Sequence, residues 1–89
     1  MASGEGRIYI IRSGNTNKYK VGYSESPSVR RKSLQIGSAD PLHVVGSIPG
    51  TRELEHSLHR DLASRRIHGE WFRLTRTEIN HILRLGIDD

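Results

Sequence analysis

Two short segments near the start of the chain have strand-like patterns of hydrophobic residues: the first is an apolar run between two arginines, and the second alternates hydrophobic and polar side chains. Residues 7–12 read RIYIIR and residues 18–24 read KYKVGYS, and both are rich in β-branched or aromatic side chains. This composition and period favour strands. Residues 13–17, SGNTN, are turn-forming. The pattern therefore predicts a β-hairpin, in which Gly22 marks a bulge or a close approach of another group to the backbone.

Three later segments have the spacing and end signals of helices. A helix over residues 27–36 is expected, because a Ser-Pro pair opens it and a glycine follows it. A second helix is expected over about residues 52–64, where leucines recur at every fourth position. A third helix, to about residue 85, opens at residues 75–78, whose sequence TRTE fits a capping box.

Two further segments, residues 42–48 (LHVVGSI) and residues 70–74 (EWFRL), have strand composition. The predicted order is therefore β-β-α-β-α-β-α. It corresponds to an α/β (α+β) fold in which a small, mostly antiparallel sheet of three to four strands is flanked by helices. We expect a flexible leader over residues 1–6 and a single domain over residues 7–89.

Composition narrows the possible classes of protein without choosing a function. The 89 residues include no cysteine, which excludes disulfides and thiolate zinc sites and favours a reducing, cytoplasmic location. No apolar stretch approaches the roughly 20 residues that a membrane helix needs, so no membrane partner is expected. The net charge of +4 fits either an ordinary solvated surface or an anionic partner such as nucleic acid.

The second predicted helix carries an acid and an imidazole on one side. Because successive helical residues turn by about 100°, His59 lies about 40° from Glu55, at the edge of the leucine stripe. Glu53, His56 and Arg60 point toward solvent. Glu55 and His59 either bind a cation or a water, or form a simple surface charge pair. So small a cluster suits magnesium, which keeps several waters and takes one or two carboxylates.

On the first predicted helix, the same geometry places Arg30 on the inner side. Val29 and Ile36 are expected further round that face, whereas Arg31 and Lys32 face away. A guanidinium at a core edge needs an anion. That anion is either a phosphate, which arginine grips with two hydrogen bonds, or an acid of the chain such as Glu55.

The hairpin adds two candidate residues, Tyr9 and Lys20. A strand tyrosine is usually packed in the core with its hydroxyl satisfied, and a strand lysine is usually solvated. Tyr9 and Lys20 are candidate catalytic residues only if they lie close to Arg30 and Glu55 in the fold.

Five motifs in this order resemble the GIY-YIG nuclease superfamily, in its compact branch of phage-type and meiotically up-regulated proteins. The resemblance covers about residues 7–75. The motifs are IYII at residues 8–11, KVGYS at 20–24, Arg30 with LQIG at 34–37, Glu55 with Leu58-His59, and GEWF at 69–72.

The resemblance implies a role for each matching residue. Tyr9 matches the tyrosine that activates or orients the attacking water, and Arg30 matches the arginine that stabilises the phosphate. Glu55 matches the sole metal-binding carboxylate, and His59 matches the histidine of the compact branch. Lys20 stands where the wider family has the first tyrosine of its YIG motif, and there we expect it to lower the pKa of Tyr9.

The resemblance also implies an activity, a cofactor and a partner: hydrolysis of DNA phosphodiester bonds with Mg2+ or Mn2+. Arg31 and Lys32 are predicted DNA contacts, and a homodimer is a predicted way to cut both strands. The chain departs from the wider family at Glu70-Trp71, which replaces an asparagine. A non-catalytic DNA-binding module of the same fold and a protein-interaction domain are the alternatives.

Overall fold

The predicted hairpin forms, and it occupies the middle of a five-stranded antiparallel sheet in the computed structural model, which describes residues 6–86. The sheet order is β3-β1-β2-β5-β4. The elements are β1 (Arg7–Ser13), β2 (Lys18–Ser24), α1 (Pro27–Ile36), β3 (Leu42–Pro49), α2 (Arg52–Asp61), a 3-10 turn (Ala63–Arg65), β4 (Arg66–His68), β5 (Trp71–Arg73) and α3 (Arg76–Arg84).

The α+β class and the helix-flanked antiparallel sheet are confirmed, and the strand count is corrected. The predicted helix over 52–64 ends at Asp61, and the chain then forms β4, a strand that the sequence pattern did not reveal. All three β4 residues are exposed, so no alternation marks them. Gly69 has φ +55 and makes the turn to β5, a conformation that glycine adopts without strain.

The sheet separates two groups of buried side chains. The larger group lies against α2 and α3 and includes Ile8, Ile10, Val21 and Phe72. The smaller group lies on the opposite face, where Tyr9, Ile11 and Leu42 pack with Leu34 of α1 and with Trp71. Because side chains alternate along a strand, Tyr9 is directed to the side of α1. This placement brings Tyr9 and α1 together.

The expectation that Val29 and Ile36 face inward is wrong. Their side chains are 62% and 89% exposed, and α1 has no fully buried residue. The cause is Leu34, the α1 residue that packs on the smaller core. With Leu34 turned toward the sheet, Val29 lies about 140° and Ile36 about 160° away around the helix. Arg30 lies only about 40° from Leu34 and stays on the sheet side.

The edge strand β3 contains an irregularity opposite β1. Ile10 pairs with Gly46 and Ile11 pairs with Val44, so Val45 is an extra residue in the ladder. Such a bulge disturbs an open sheet edge and hinders its pairing with other strands.

Within residues 6–86, no helix is long and apolar enough to cross a membrane. The predicted leader falls outside the described residues except for Gly6, and so do residues 87–89 at the end of the predicted domain.

Candidate active site

A polar cleft of about 470 Å3 brings three of the predicted site residues together. Tyr9 comes from β1, Arg30 from α1 and Glu55 from α2, although these residues are far apart in the sequence. Lys20 and His59 do not line the cleft. Its wall consists of Tyr9, Tyr23, Ser24, Glu25, Arg30, Arg52, Glu55 and Glu70.

Tyr9 reaches the cleft across the backbone of the neighbouring strand. Tyr9 of β1 pairs with Gly22 of β2, and the Tyr9 side chain is almost fully buried. A Cβ atom at position 22 would collide with the Tyr9 hydroxyl and with the end of its ring. Gly22 therefore makes the close approach that the sequence suggested, and it lets the phenol lie flat over β2.

The electrostatic surroundings of Tyr9 differ from the expectation. Burial raises the pKa of Tyr9, and a hydrogen bond from Arg30 opposes this shift. The carboxylates of Glu70 and Glu55 raise the pKa further. The expectation that Lys20 lowers the pKa is wrong, because the cation that acts on the phenol is Arg30. The hydroxyl is therefore neutral at physiological pH.

Glu55 presents a buried carboxylate to the cleft. It lies in the first turn of α2, where the helix dipole favours a negative charge and where the Thr51 hydroxyl accepts a hydrogen bond from the Leu54 amide at 3.1 Å. The residue is 6% exposed, and the nearest ionisable nitrogen is His56 Nε2, 3.8 Å from Glu55 Oε1. The solvent-facing positions predicted for Glu53, His56 and Arg60 are confirmed.

The donor set around Glu55 limits which metal fits. Among residues 6–86 no group of three or more His, Cys, Asp or Glu side chains is arranged to hold an ion. A zinc or calcium cage is therefore not formed by the described residues. Glu55 as a ligand to an ion fits Mg2+ or Mn2+, because magnesium keeps several waters and needs only one or two protein carboxylates besides substrate phosphates.

His59 lies outside the cleft and connects α2 to the sheet. Its Nε2 donates a hydrogen bond to the Val21 carbonyl at 2.8 Å, since a carbonyl oxygen only accepts. Its ring lies 5.1 Å from that of Phe72. Val21 is near the point where β5 leaves β2, so His59 satisfies a backbone group there and holds α2 in place.

Lys20 is also fixed by structural contacts. It is 8% exposed, its Nζ lies 3.0 Å from Glu70 Oε1, and the same nitrogen lies 5.8 Å from the Trp71 ring centroid. Lys20 therefore acts on the cleft indirectly, through Glu70. The backbone carbonyl of Glu70 accepts from the Val21 amide at 3.1 Å, which fixes the other end of that residue.

Sequence reasoning missed several residues of the cleft wall. Glu70 was noted only as a replacement for the family asparagine, and Tyr23 and Arg52 only as parts of predicted elements. One signal was available for Arg52, because a cation at the first residue of a helix opposes the helix dipole. The predicted DNA contacts Arg31 and Lys32 lie outside the cleft; Arg31 is half-buried and Lys32 is exposed.

The chain is thus a small α+β domain with a polar cleft at one end of an antiparallel sheet. The model of the T5orf172 domain matches residues 6–85, and the chain belongs to this family, whose domain is found in phage-type and nuclease-like proteins. No curated protein and no solved structure matches the chain significantly.

Proposed function

We propose that the chain is a GIY-YIG-type endonuclease that hydrolyses DNA phosphodiester bonds with one Mg2+ or Mn2+ ion. The observation that carries the proposal is the convergence of Tyr9, Arg30 and Glu55 on one cleft from three separate elements. A fold needs no such convergence for stability, since buried Tyr9 and Glu55 carry desolvation costs that apolar residues would avoid.

Arg30 is placed to bind the scissile phosphate. Its side chain is exposed at the cleft, so the guanidinium can reach substrate without a rearrangement of α1. Arginine grips phosphate through charge-assisted hydrogen bonds, and a preorganised cation offsets the charge that develops at phosphorus.

Tyr9 is placed to orient the attacking water. Because burial raises its pKa, its hydroxyl is protonated at rest and does not act as a standing phenolate base. The phenol oxygen accepts a hydrogen bond from the water, and the hydrogen bond that Arg30 donates to the same oxygen holds the phenol in place. In this role Tyr9 positions the nucleophile, and the proton that the water loses goes to a phosphate oxygen or to solvent.

Glu55 would hold the metal ion. When bound, such an ion supplies Lewis-acid polarisation of the phosphate and stabilisation of the departing oxygen. Glu55 lies in the first turn of α2, where the helix dipole favours a negative charge, and among the described residues no arginine or lysine forms a salt bridge with it.

A non-catalytic DNA-binding module is the second candidate, and one observation favours it. Lys20 stands at the position of a family tyrosine, yet it is tied to Glu70 and does not line the cleft. Residue 20 therefore supplies no second acid or base for catalysis at a phosphate bound in the cleft.

Plasmid nicking separates these two functions. With Mg2+ or Mn2+ the chain should convert supercoiled plasmid to open circles, and with a chelator it should not. Glu55→Gln should reduce nicking by at least about a hundredfold, as loss of a transition-state contact does. Asp61→Asn removes one carboxylate from an exposed position at the other end of the same helix, outside the cleft, and should leave nicking unchanged. Full nicking by Glu55→Gln would refute the metal role, and binding without nicking by the parent chain would favour the non-catalytic module.

A further inference from the structure

The cleft does not end at Arg30 and Glu55. A second depression of about 600 Å3 shares two of its lining residues, Tyr23 and Arg52, with the cleft. Beyond these two, its floor is formed by Gly6, Glu53 and the Pro49-Gly50-Thr51 segment that leads into α2. The two depressions therefore adjoin at Tyr23 and Arg52, and this pair of side chains is called the ridge between them.

The ridge is a stack of a guanidinium on an aromatic ring. The Arg52 Cζ atom lies 4.6 Å from the centroid of the Tyr23 ring. The ring also packs against Gly6, where a Cβ atom would collide with the ring. Arginine stacked on an aromatic face keeps the N–H groups at its edge free to bind an oxyanion.

Apart from its contact with the Tyr23 ring, Arg52 has no partner among residues 6–86 that requires a cation. It is the first residue of α2, where the positive end of the helix dipole disfavours positive charge. Among residues 6–86 it forms no salt bridge, although Glu53 and Glu55 are close to it in sequence. An exposed, stacked and unneutralised guanidinium at the mouth of a cleft is what recognition of a phosphate requires.

We propose that Arg52, held flat by Tyr23, binds the backbone phosphate next to the scissile one on the substrate strand. This inference rests on the proposed function for the identity of the ligand as a DNA strand. A strand whose scissile phosphate lies at Arg30 then crosses the ridge and continues into the second depression. Arg52 would thus fix the register of the strand over Tyr9 and Glu55.

The test measures DNA binding without cleavage. Affinity for a labelled DNA duplex is measured in a chelator, on the Glu55→Gln background, over a series of salt concentrations. Arg52→Gln should lower the slope of log affinity against log salt by about 1, the value for one phosphate contact. Its affinity deficit should therefore shrink about threefold between about 50 and about 200 mM salt.

Two control variants separate a specific contact from general surface charge. Arg60→Gln removes an exposed cation from the same helix at a position that lines neither depression, and it should change the slope little. Tyr23→Leu keeps the charge but removes the platform, so it should weaken binding while the slope is retained. Unfolding midpoints in urea establish that each variant is folded.

The possible results divide cleanly. Equal slopes for Arg52→Gln and Arg60→Gln, or no DNA binding by any variant, would overturn the inference. An Arg52-dependent slope in a parent chain that never nicks plasmid would support the inference and refute the proposed nuclease activity. An RNA duplex of the same sequence, run in parallel, shows whether the contact depends on the phosphate alone.

Discussion

At the scale of single residues, the candidate site depends on one missing methyl group. Tyr9 can lie over β2 and enter the cleft because Gly22 has no Cβ atom. The phenol of Tyr9 is nearly fully buried, and the two residues are paired across the strands. The Tyr9 ring therefore has no room to move away from a side chain at position 22.

Gly22→Ala tests this contact. The added methyl group would displace the Tyr9 ring, and overpacking of this kind costs about 1–3 kcal/mol of stability. The nicking rate should fall further than the loss of folded protein explains, because Tyr9 would leave its place beside Arg30. Urea unfolding and plasmid nicking measure the two effects.

Gly37→Ala is the matched control for that substitution. Gly37 ends α1 with a negative φ, and a Cβ there meets no atom within 4 Å. The free energy of unfolding of Gly37→Ala should differ from that of the parent chain by no more than about 0.5 kcal/mol. If Gly22→Ala behaved like Gly37→Ala, the close packing of Tyr9 on β2 would be excluded.

The raised pKa of Tyr9 predicts a loss of stability in alkali. The pKa of Tyr9 is higher in the folded chain than in the unfolded chain. The neutral phenol's contribution to the free energy of unfolding is therefore fully present below the unfolded pKa of 10.0. It is lost as pH rises from there through the folded pKa. Tyr9→Phe removes this contribution, so the parent should lose more stability than the variant between pH 9 and pH 11.

Urea midpoints at those two pH values measure the difference directly. The other tyrosines and the lysines titrate equally in both chains, so their effects cancel in the comparison. Parallel losses in the two chains would show that Tyr9 ionises as freely in the folded state as in the unfolded state.

Helix geometry was sufficient to select some site residues and insufficient for others. It separated Glu55 from Glu53 and Arg30 from Lys32, because residues on one helix have fixed relative directions. It did not identify Glu70, whose role depends on a 3.0 Å contact with Lys20 of another strand. The sequence alone does not show which neighbouring strand a three-residue strand will join.

At the scale of elements, α3 is held by a complete capping box. The Thr75 hydroxyl accepts from the Glu78 amide at 3.1 Å, and Glu78 Oε1 accepts from the Thr75 amide at 2.8 Å. Arg65 Nε lies 3.0 Å from the other Glu78 oxygen, which links α3 to the 3-10 turn that follows α2. The Thr75 amide, assisted by Arg65, holds the pKa of Glu78 below its usual range.

Glu78→Gln should therefore destabilise the chain at neutral pH and not in acid. The pKa of Glu78 is lower in the folded chain than in the unfolded chain. The ionised carboxylate's contribution to the free energy of unfolding is therefore present above the unfolded pKa of 4.5, and it disappears as pH falls through the folded pKa. We expect about 0.5 kcal/mol at pH 7, because the carboxylate is partly exposed and glutamine retains part of the cap. Thermal unfolding of both chains at pH 7 and pH 3 measures it; a constant difference would contradict the charge effect.

The predictability of the elements followed the strength of their local signals. α1 and α3 begin where the Ser-Pro pair and the capping box placed them, β1 follows its β-branched and aromatic composition, and β2 follows its alternation. β4 has no such signal, since its three side chains are exposed and its pairing depends on the turn at Gly69. The inward orientation expected for Val29 and Ile36 failed because α1 packs through one side chain, Leu34.

At the scale of the whole molecule, residues 6–86 present one cleft with Tyr9, Arg30 and Glu55. One such set can act on one phosphodiester at a time. The proposed nuclease should therefore nick a plasmid, and open circles should accumulate before linear molecules appear. Linear product that forms directly from supercoiled plasmid, at a rate that rises with the square of protein concentration, would instead indicate a dimer that cuts both strands.

Which face of the sheet carries Tyr9 was beyond prediction from the sequence. Strand alternation placed Tyr9 on the same side as Arg7 and Ile11 but did not say which side that was. The answer depends on packing across the sheet, where Leu34 covers one face and the leucines of α2 cover the other.

The contact between Tyr9 and Gly22 also bears on how this family can evolve. As long as position 9 keeps its tyrosine, any side chain at position 22 is opposed by the phenol ring, so the two positions must change together. A lineage that gave up Tyr9 would be released from glycine at position 22. A residue other than glycine at position 22 is therefore expected only in relatives that have lost the tyrosine at position 9.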